Sequence, residues 1–168
     1  WHHVVLVYDG SGTTAAARGK LYLDGVQLTT TNTIGTVPTS MQASTATVKI
    51  GKFGGTLDRF WNGAIDDVRI YNRALTGAEI KRLYTSTSGS YFGVAPNNDS
   101  LTKGLVGYWP FDGKQTSKTG TSDISGNRNN GTFRGGGPAP TAGKIGQGLK
   151  FDGVNDYVDA GRGLDQNG

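Results

Sequence analysis

Short apolar runs separated by polar, glycine-rich breaks recur along the whole chain. Residues 4–8 (Val-Val-Leu-Val-Tyr) are apolar on both parities, the pattern of a strand buried on both faces. Asp9-Gly10-Ser11-Gly12 ends that run, and a second strand is predicted over 20–23. Between Leu21-Tyr22-Leu23 and Val26-Gln27-Leu28 lies Asp24-Gly25, two residues that tolerate positive φ, which predicts a two-residue hairpin. A Thr/Ser-rich stretch covers 29–46. Further strands are predicted at 48–51, 64–71 and 105–111, near Thr132-Phe133, and at 144–153 and 156–159.

One segment has helical spacing instead. Ile80, Leu83 and Tyr84 share a face. Thr76 stands where an N-cap belongs and Glu79 follows three residues on, a capping box; Leu75 and Ile80 supply a hydrophobic staple. These signals predict a helix over 77–84. The run Thr-Ser-Thr-Ser-Gly-Ser and the Tyr-Phe-Gly-Val-Ala-Pro-Asn-Asn-Asp after it make 85–103 a linker. The expectation is an all-β chain with one short helix.

Composition narrows the partners. The 168 residues include 28 glycines, in keeping with many short strands joined by turns, and no cysteine, which excludes a disulfide framework and a thiolate metal site. The net charge is +4, but the 17 basic residues are scattered and form no stripe, so no nucleic-acid partner is expected. No apolar stretch approaches the roughly 18 residues of a membrane helix, so no membrane insertion is expected. Twelve Asp accompany a single Glu, Glu79, and short Asp side chains favour turns, caps and cation sites. The chain opens inside a strand at Trp1 and reads as a piece of a longer protein, so its lack of a signal peptide carries no information on export.

The run from Gly63 to Thr76, taken with Trp1 to Gly10 and Leu21 to Gly25, resembles the C-terminal half of a laminin G-like domain, one of the concanavalin A-like lectin/glucanase jelly rolls. Trp109-Pro110-Phe111-Asp112, then Asp123 to Gly131 (Asp-x-Ser-Gly-Asn-x-x-Asn-Gly), then Gly146 to Val158 (Gly-x-Gly-Leu-x-Phe-Asp-Gly-x-Asn-Asp-Tyr-Val) resemble its N-terminal half. The halves stand in reversed order, and the family's middle strands are absent. The resemblance implies a two-sheet antiparallel jelly-roll sandwich, permuted or split: 1–84 as one half, 85–103 as linker, 104–168 as the front half of a next copy. It further implies that 105–111 lies beside 64–71.

Candidate chemistry concentrates on a few residues. Asp66 falls in line with the aliphatic Val68 and Ile70 of its predicted strand, a costly position for a carboxylate without a partner. The resemblance implies that Asp66 ligates a structural calcium, with Asp123 and Asn127 as further oxygen donors from a turn-rich loop. The competing reading has Asp66 capping its strand and Asp123 forming an Asx-turn. Trp61 and Phe60, with Phe53 and the linker pair Tyr91-Phe92, are candidates for stacking on sugar rings; the competing reading packs Trp61 and Phe60 into the core. Trp1 and Trp109 are expected in the core. His2 and His3 face opposite ways on a strand, so they cannot share a zinc ion.

Glycosidic cleavage normally needs two positioned carboxylates. The glucanases of the resembled superfamily carry theirs as Glu-x-Asp-x-x-Glu on a middle strand, which this chain lacks, so no catalytic residues are assigned. The resemblance thus implies a non-catalytic, extracellular or cell-surface module for carbohydrate binding or adhesion, with a glycan or surface polysaccharide as partner. The alternative is a structural repeat unit of a filament, stalk or layer, partnered by neighbouring copies of the same domain.

Overall fold

A computed structural model describes residues 1–29, 37–40, 46–54, 59–86 and 100–162. Much of the polar stretch 29–46, part of the loop after Phe53, and Tyr91 and Phe92 in the linker lie outside the described residues. The chain is all-β, in several antiparallel sheets, with two short helices among the described residues. It forms two compact units, each assembled from two segments: Trp1–Ser44 with Tyr71–Gly104, and Thr45–Ile70 with Leu105–Gly168.

The first unit contains β1 (Val4–Tyr8), α1 (Ala15–Arg18), β2 (Gly19–Leu23), β3 (Val26–Gln27) and α2 (Gly77–Thr85). β1, β2 and β3 form one antiparallel sheet, and Asp24 and Gly25 turn the β2–β3 hairpin with φ of 51° and 77°. Val7 and Tyr22 meet Leu75, Ile80, Leu83 and Leu101 in its core. The opposite face of β1 is open, contrary to the doubly buried strand predicted: Val4 is 65% and Leu6 77% exposed. An apolar residue signals burial only where something covers it, and nothing among the described residues covers this face. Trp1, expected in the core, is likewise exposed. Leu101, assigned by sequence to the linker, is buried as a core residue. α1 went unpredicted because its Ala run is a single turn; Thr14 caps it by accepting from the Ala17 amide.

α2 forms as its caps dictate. The Thr76 hydroxyl accepts from the Glu79 amide, and the Glu79 carboxylate accepts from the Thr76 amide at 2.8 Å. Glu79 also takes both terminal nitrogens of Arg73, at 3.0 and 2.7 Å. The Arg73 hydrogen bonds, with those of Thr76, hold the Glu79 carboxyl down at about 2, against an ordinary 4.5. The native state therefore gives up a proton that the unfolded chain keeps, so this contribution is complete above about pH 4.5 and is lost as pH falls toward 2. Allowing for solvent screening, we expect Glu79→Gln to remove about 1–2 kcal/mol at pH 7 and about a quarter of that at pH 2.5. Urea unfolding of both proteins at the two pH values checks this.

The second unit contains β4 (Lys49–Ile50), β5 (Lys52–Phe53), β6 (Arg59–Phe60), β7 (Asn62–Ile65), β8 (Val68–Tyr71), β9 (Leu105–Trp109), β10 (Gly120–Thr121), β11 (Gly131–Arg134), β12 (Ala139–Ala142), β13 (Gln147–Asp152) and β14 (Tyr157–Asp159). Tyr71, at the end of β8, already belongs to the first unit. The strand orders are β10-β11-β14-β4, β12-β13-β7, β5-β6 and β8-β9. The two sequence blocks thus share sheets: Ile65 pairs with Leu149, Ile50 with Val158, and β8 lies beside β9. Trp109, Phe111, Leu149, Phe151 and Val158 are fully buried in one core with Ile50 and Ala160, against which Val48, Ile65, Val68, Ile70, Val106 and Phe133 pack.

The strand predicted over 64–71 is two strands. Asp67 adopts φ of 53°, a left-handed conformation that Asp tolerates, and the chain breaks there. Asp66 therefore does not sit in one continuous row with Val68 and Ile70. The sequence also missed β10 and β12, whose Gly, Pro and Ala residues carry no strand propensity.

Candidate functional site

Asp66 occupies the turn between β7 and β8 and reaches the turn between β12 and β13. Its Oδ2 accepts from the amides of Lys144 at 2.7 Å and Ile145 at 3.0 Å. This approach requires glycine at 143, since a Cβ there would stand 2.6 Å from that oxygen. Asp66 Oδ1 is buried and meets no hydrogen-bond donor. Burial, with the charge of Asp67 adding to it, pushes the carboxyl from 3.8 up to about 6 against the pull of the Ile145, Lys144 and Asp67 amides.

Asp67 faces a different neighbour. Its Oδ1 accepts from the Tyr108 hydroxyl at 2.6 Å and from Arg69 at 3.3 Å. Arg69 also donates to the Tyr108 oxygen at 2.7 Å and stacks its guanidinium 4.1 Å from the ring centroid. Burial, assisted by Asp67, drives the Tyr108 phenol upward, so it stays a donor. This cluster ties β8 to β9 and was not singled out from the sequence; Tyr108 is itself buried, and its meeting with Arg69 shows only once β8 lies beside β9.

Asp123 is 8% exposed, and both its oxygens are occupied. Oδ1 accepts from the Tyr108 amide at 2.9 Å and the Ser125 amide at 2.8 Å; Oδ2 accepts from Ser125 Oγ and the Asn129 amide, each at 2.9 Å. Asn127 turns its amide nitrogen inward, donating to the Leu105 carbonyl and to Ser125 Oγ, each at 3.1 Å. Asp123 and Asn127 thus share a loop through Ser125, whereas Asp66 bonds to a different turn. Among the described residues no three His, Cys, Asp or Glu side chains gather as a metal-binding group.

The aromatic candidates lie at the β5–β6 hairpin, where Phe53 pairs with Arg59 and Phe60 with Lys52. Phe53 and Phe60 therefore project to opposite faces, and Phe60 is the one set beside β14. Trp61 is 54% exposed and Phe53 64% exposed, so Trp61 does not pack into the core. Phe60 is half-buried and sets its ring 6.4 Å from that of Tyr157. The Lys52 ammonium lies 4.9 Å from the Phe60 centroid and 5.2 Å from that of Tyr157; Lys49 reaches the same Tyr157 ring at 5.9 Å. Tyr157 and the two lysines were not singled out from the sequence as site residues. The signal was parity: Val158 and Ile50 pair inward, which turns Tyr157 and Lys49 outward. In the first unit, a depression of about 440 Å³ lined by Arg73, Thr76, Glu79, Ser100 and Lys103 lies over the neutralised Arg73–Glu79 pair.

Residues 1–81 match a laminin G-like family model of the concanavalin A-like lectin/glucanases superfamily. The match ends inside α2, so the likeness at 109–158 rests on its motifs. No curated protein and no solved structure matches the chain. No helix among the described residues is long and apolar enough to cross a membrane.

Proposed function

With residues 1–81 laminin G-like, we propose that this chain is a non-catalytic carbohydrate-binding module working outside the cell or at its surface. The observation that carries the reading is the exposure of two aromatic rings, Trp61 and Phe53, at the β5–β6 hairpin. An indole with half its area in water costs solvation that a sugar ring's C–H face would relieve. Binding should therefore depend on Trp61: Trp61→Ala is expected to weaken glycan affinity roughly tenfold, about 1.4 kcal/mol, while the melting midpoint stays put. A glycan array followed by titration of the bound species tests it, and a chain that binds no glycan loses the reading.

One observation favours a second reading, a structural unit that assembles with neighbouring copies. Val4, Leu6, Leu23, Val26 and Leu28 are all exposed in the first unit's sheet region, and Val4 pairs with Leu23 and Leu23 with Val26. Contiguous exposed apolar surface marks interaction sites. Concentration-dependent sedimentation together with silence on the array would replace the lectin reading with this one.

A structural calcium at Asp66 belongs to the proposal. Its support is the buried, donor-less Oδ1, an oxygen that a hard cation satisfies. Asp123 does not fit the ion, because hydrogen bonds use both its oxygens, and Asn127 is tied through Ser125 to the Asp123 loop whereas Asp66 bonds to a different turn. At a hundredfold excess over its dissociation constant, calcium should add about 2.7 kcal/mol to the native chain and nothing to Asp66→Asn. Thermal melts with calcium and with chelator decide the point.

A further inference from the structure

The first unit's sheet leaves one long edge without a partner. In antiparallel pairs, residues that exchange main-chain bonds alternate with residues that do not. The Asp24 amide donates to the His3 carbonyl and the Asp9 amide to the Arg18 carbonyl, each at 2.8 Å, so residues 3, 5, 7 and 9 bond toward β2. Val4, Leu6 and Tyr8 therefore turn their amides and carbonyls away from β2, and no main chain among the described residues meets them. Natural edges are blunted by charge, proline, a bulge or shortness. β3, the opposite edge, spans two residues. β1 has five, Val-Val-Leu-Val-Tyr, with no charge and no proline, in unbroken register with β2. The same three residues project on the sheet's outer face, where Val4 and Leu6 are exposed and the Tyr8 hydroxyl donates to the Pro38 carbonyl at 3.0 Å.

Resting on the reading that copies of this chain assemble, we propose that the β1 edge pairs with the β1 edge of a second copy, antiparallel about a twofold axis at Leu6. Leu6 then stands opposite Leu6, and Val4 of each copy opposite Tyr8 of the other. These three facing pairs exchange about six main-chain hydrogen bonds. A register shifted by one residue sets bonding groups opposite residues already bonded to β2, and a shift by two leaves Tyr8 facing His2, outside the strand. The twofold also brings the open Val4 end of one strand beside the end of the other where Pro38 meets Tyr8. Two three-stranded sheets become one of six, and Leu6 gains a cross-strand neighbour of its own kind on the outer face. An isologous contact closes on itself, so this edge makes pairs and no filament. A five-residue edge is a small interface, for which a dissociation constant of about 10–100 µM is expected.

Sedimentation equilibrium combined with hydrogen exchange tests the pairing. Dimer should build up over that concentration range. As it does, the amides of Val4, Leu6 and Tyr8 should gain roughly tenfold protection, while those of Val5 and Val7 are protected throughout. Leu6→Lys and Leu6→Glu each set like charges opposite one another and should weaken the dimer roughly tenfold; mixed in equal amounts they should restore a heterodimer. Leu6 is exposed, so both variants should keep the melting midpoint. Val26→Lys, exposed at the far edge of the sheet, should leave association unchanged. A chain that stays monomeric up to about 1 mM overturns this inference and the assembly reading together. Association with the Leu6 amide unprotected, without mutual rescue of the two charge variants, or abolished by Val26→Lys means that the open face and not the edge holds the copies. Any of these overturns the inference and leaves the assembly reading standing.

Discussion

Asp123→Ala should destabilise the second unit by about 4 kcal/mol, because two buried amides, those of Tyr108 and Asn129, lose their acceptor at about 2 kcal/mol each. The two bonds from Ser125 go with them but lie nearer solvent. Asp123→Asn should cost less, since one oxygen survives, though its amide nitrogen then confronts a donor. Urea unfolding gives both values. The loss should be the same with and without calcium, because every Asp123 contact is to a protein donor. A loss below about 1 kcal/mol, or one seen only in calcium, contradicts this account.

Trp109→Ala should cost about 4 kcal/mol, the range for deleting a fully buried aromatic side chain. Part of this is the Asn129 carbonyl, which accepts from the indole nitrogen at 2.9 Å and is left bare. The ring also explains Gly107: a Cβ there would stand 2.4 Å from Cη2 of Trp109. Gly107→Ala should therefore cost about 1–3 kcal/mol by overpacking. The double variant should lose less than the sum, since the clash disappears with the ring. Strict additivity in denaturant melts would show that the two positions do not contact.

Local signals were legible wherever neighbours in sequence settle the structure. Thr76, Glu79, Leu75 and Ile80 fixed α2 because a capping box and staple close within one turn. Asp24-Gly25 fixed its hairpin for the same reason. The strand 64–71 failed at Asp67 because its left-handed conformation is held by Tyr108 and Arg69, and Tyr108 lies far away in sequence. Burial was misread at Val4, Leu6 and Trp1 because hydrophobicity reports what a side chain prefers, and cover depends on the rest of the fold. The candidate residues divide in the same way. Exposure of Trp61 and Phe53 shows only in the fold, and the lysines around Tyr157 show only once β4 and β14 pair. Saturation of Asp123 by four donors is invisible to a motif that names it as a spare oxygen source.

The weaving of residues 45–70 with 105–168 bears on how the chain is born. β4, β7 and β8 leave the ribosome well before their partners β14, β13 and β9. Domains otherwise tend to fold as they emerge, and distant strand pairings form slowly. Until Val158 and Leu149 have been synthesised, Ile50 and Ile65 have no cross-strand mates, and their edges stay open to strands from other nascent chains. Truncation anywhere before β14 would make that interval permanent, so the yield of folded protein should hinge on β14, however little of the surface it forms.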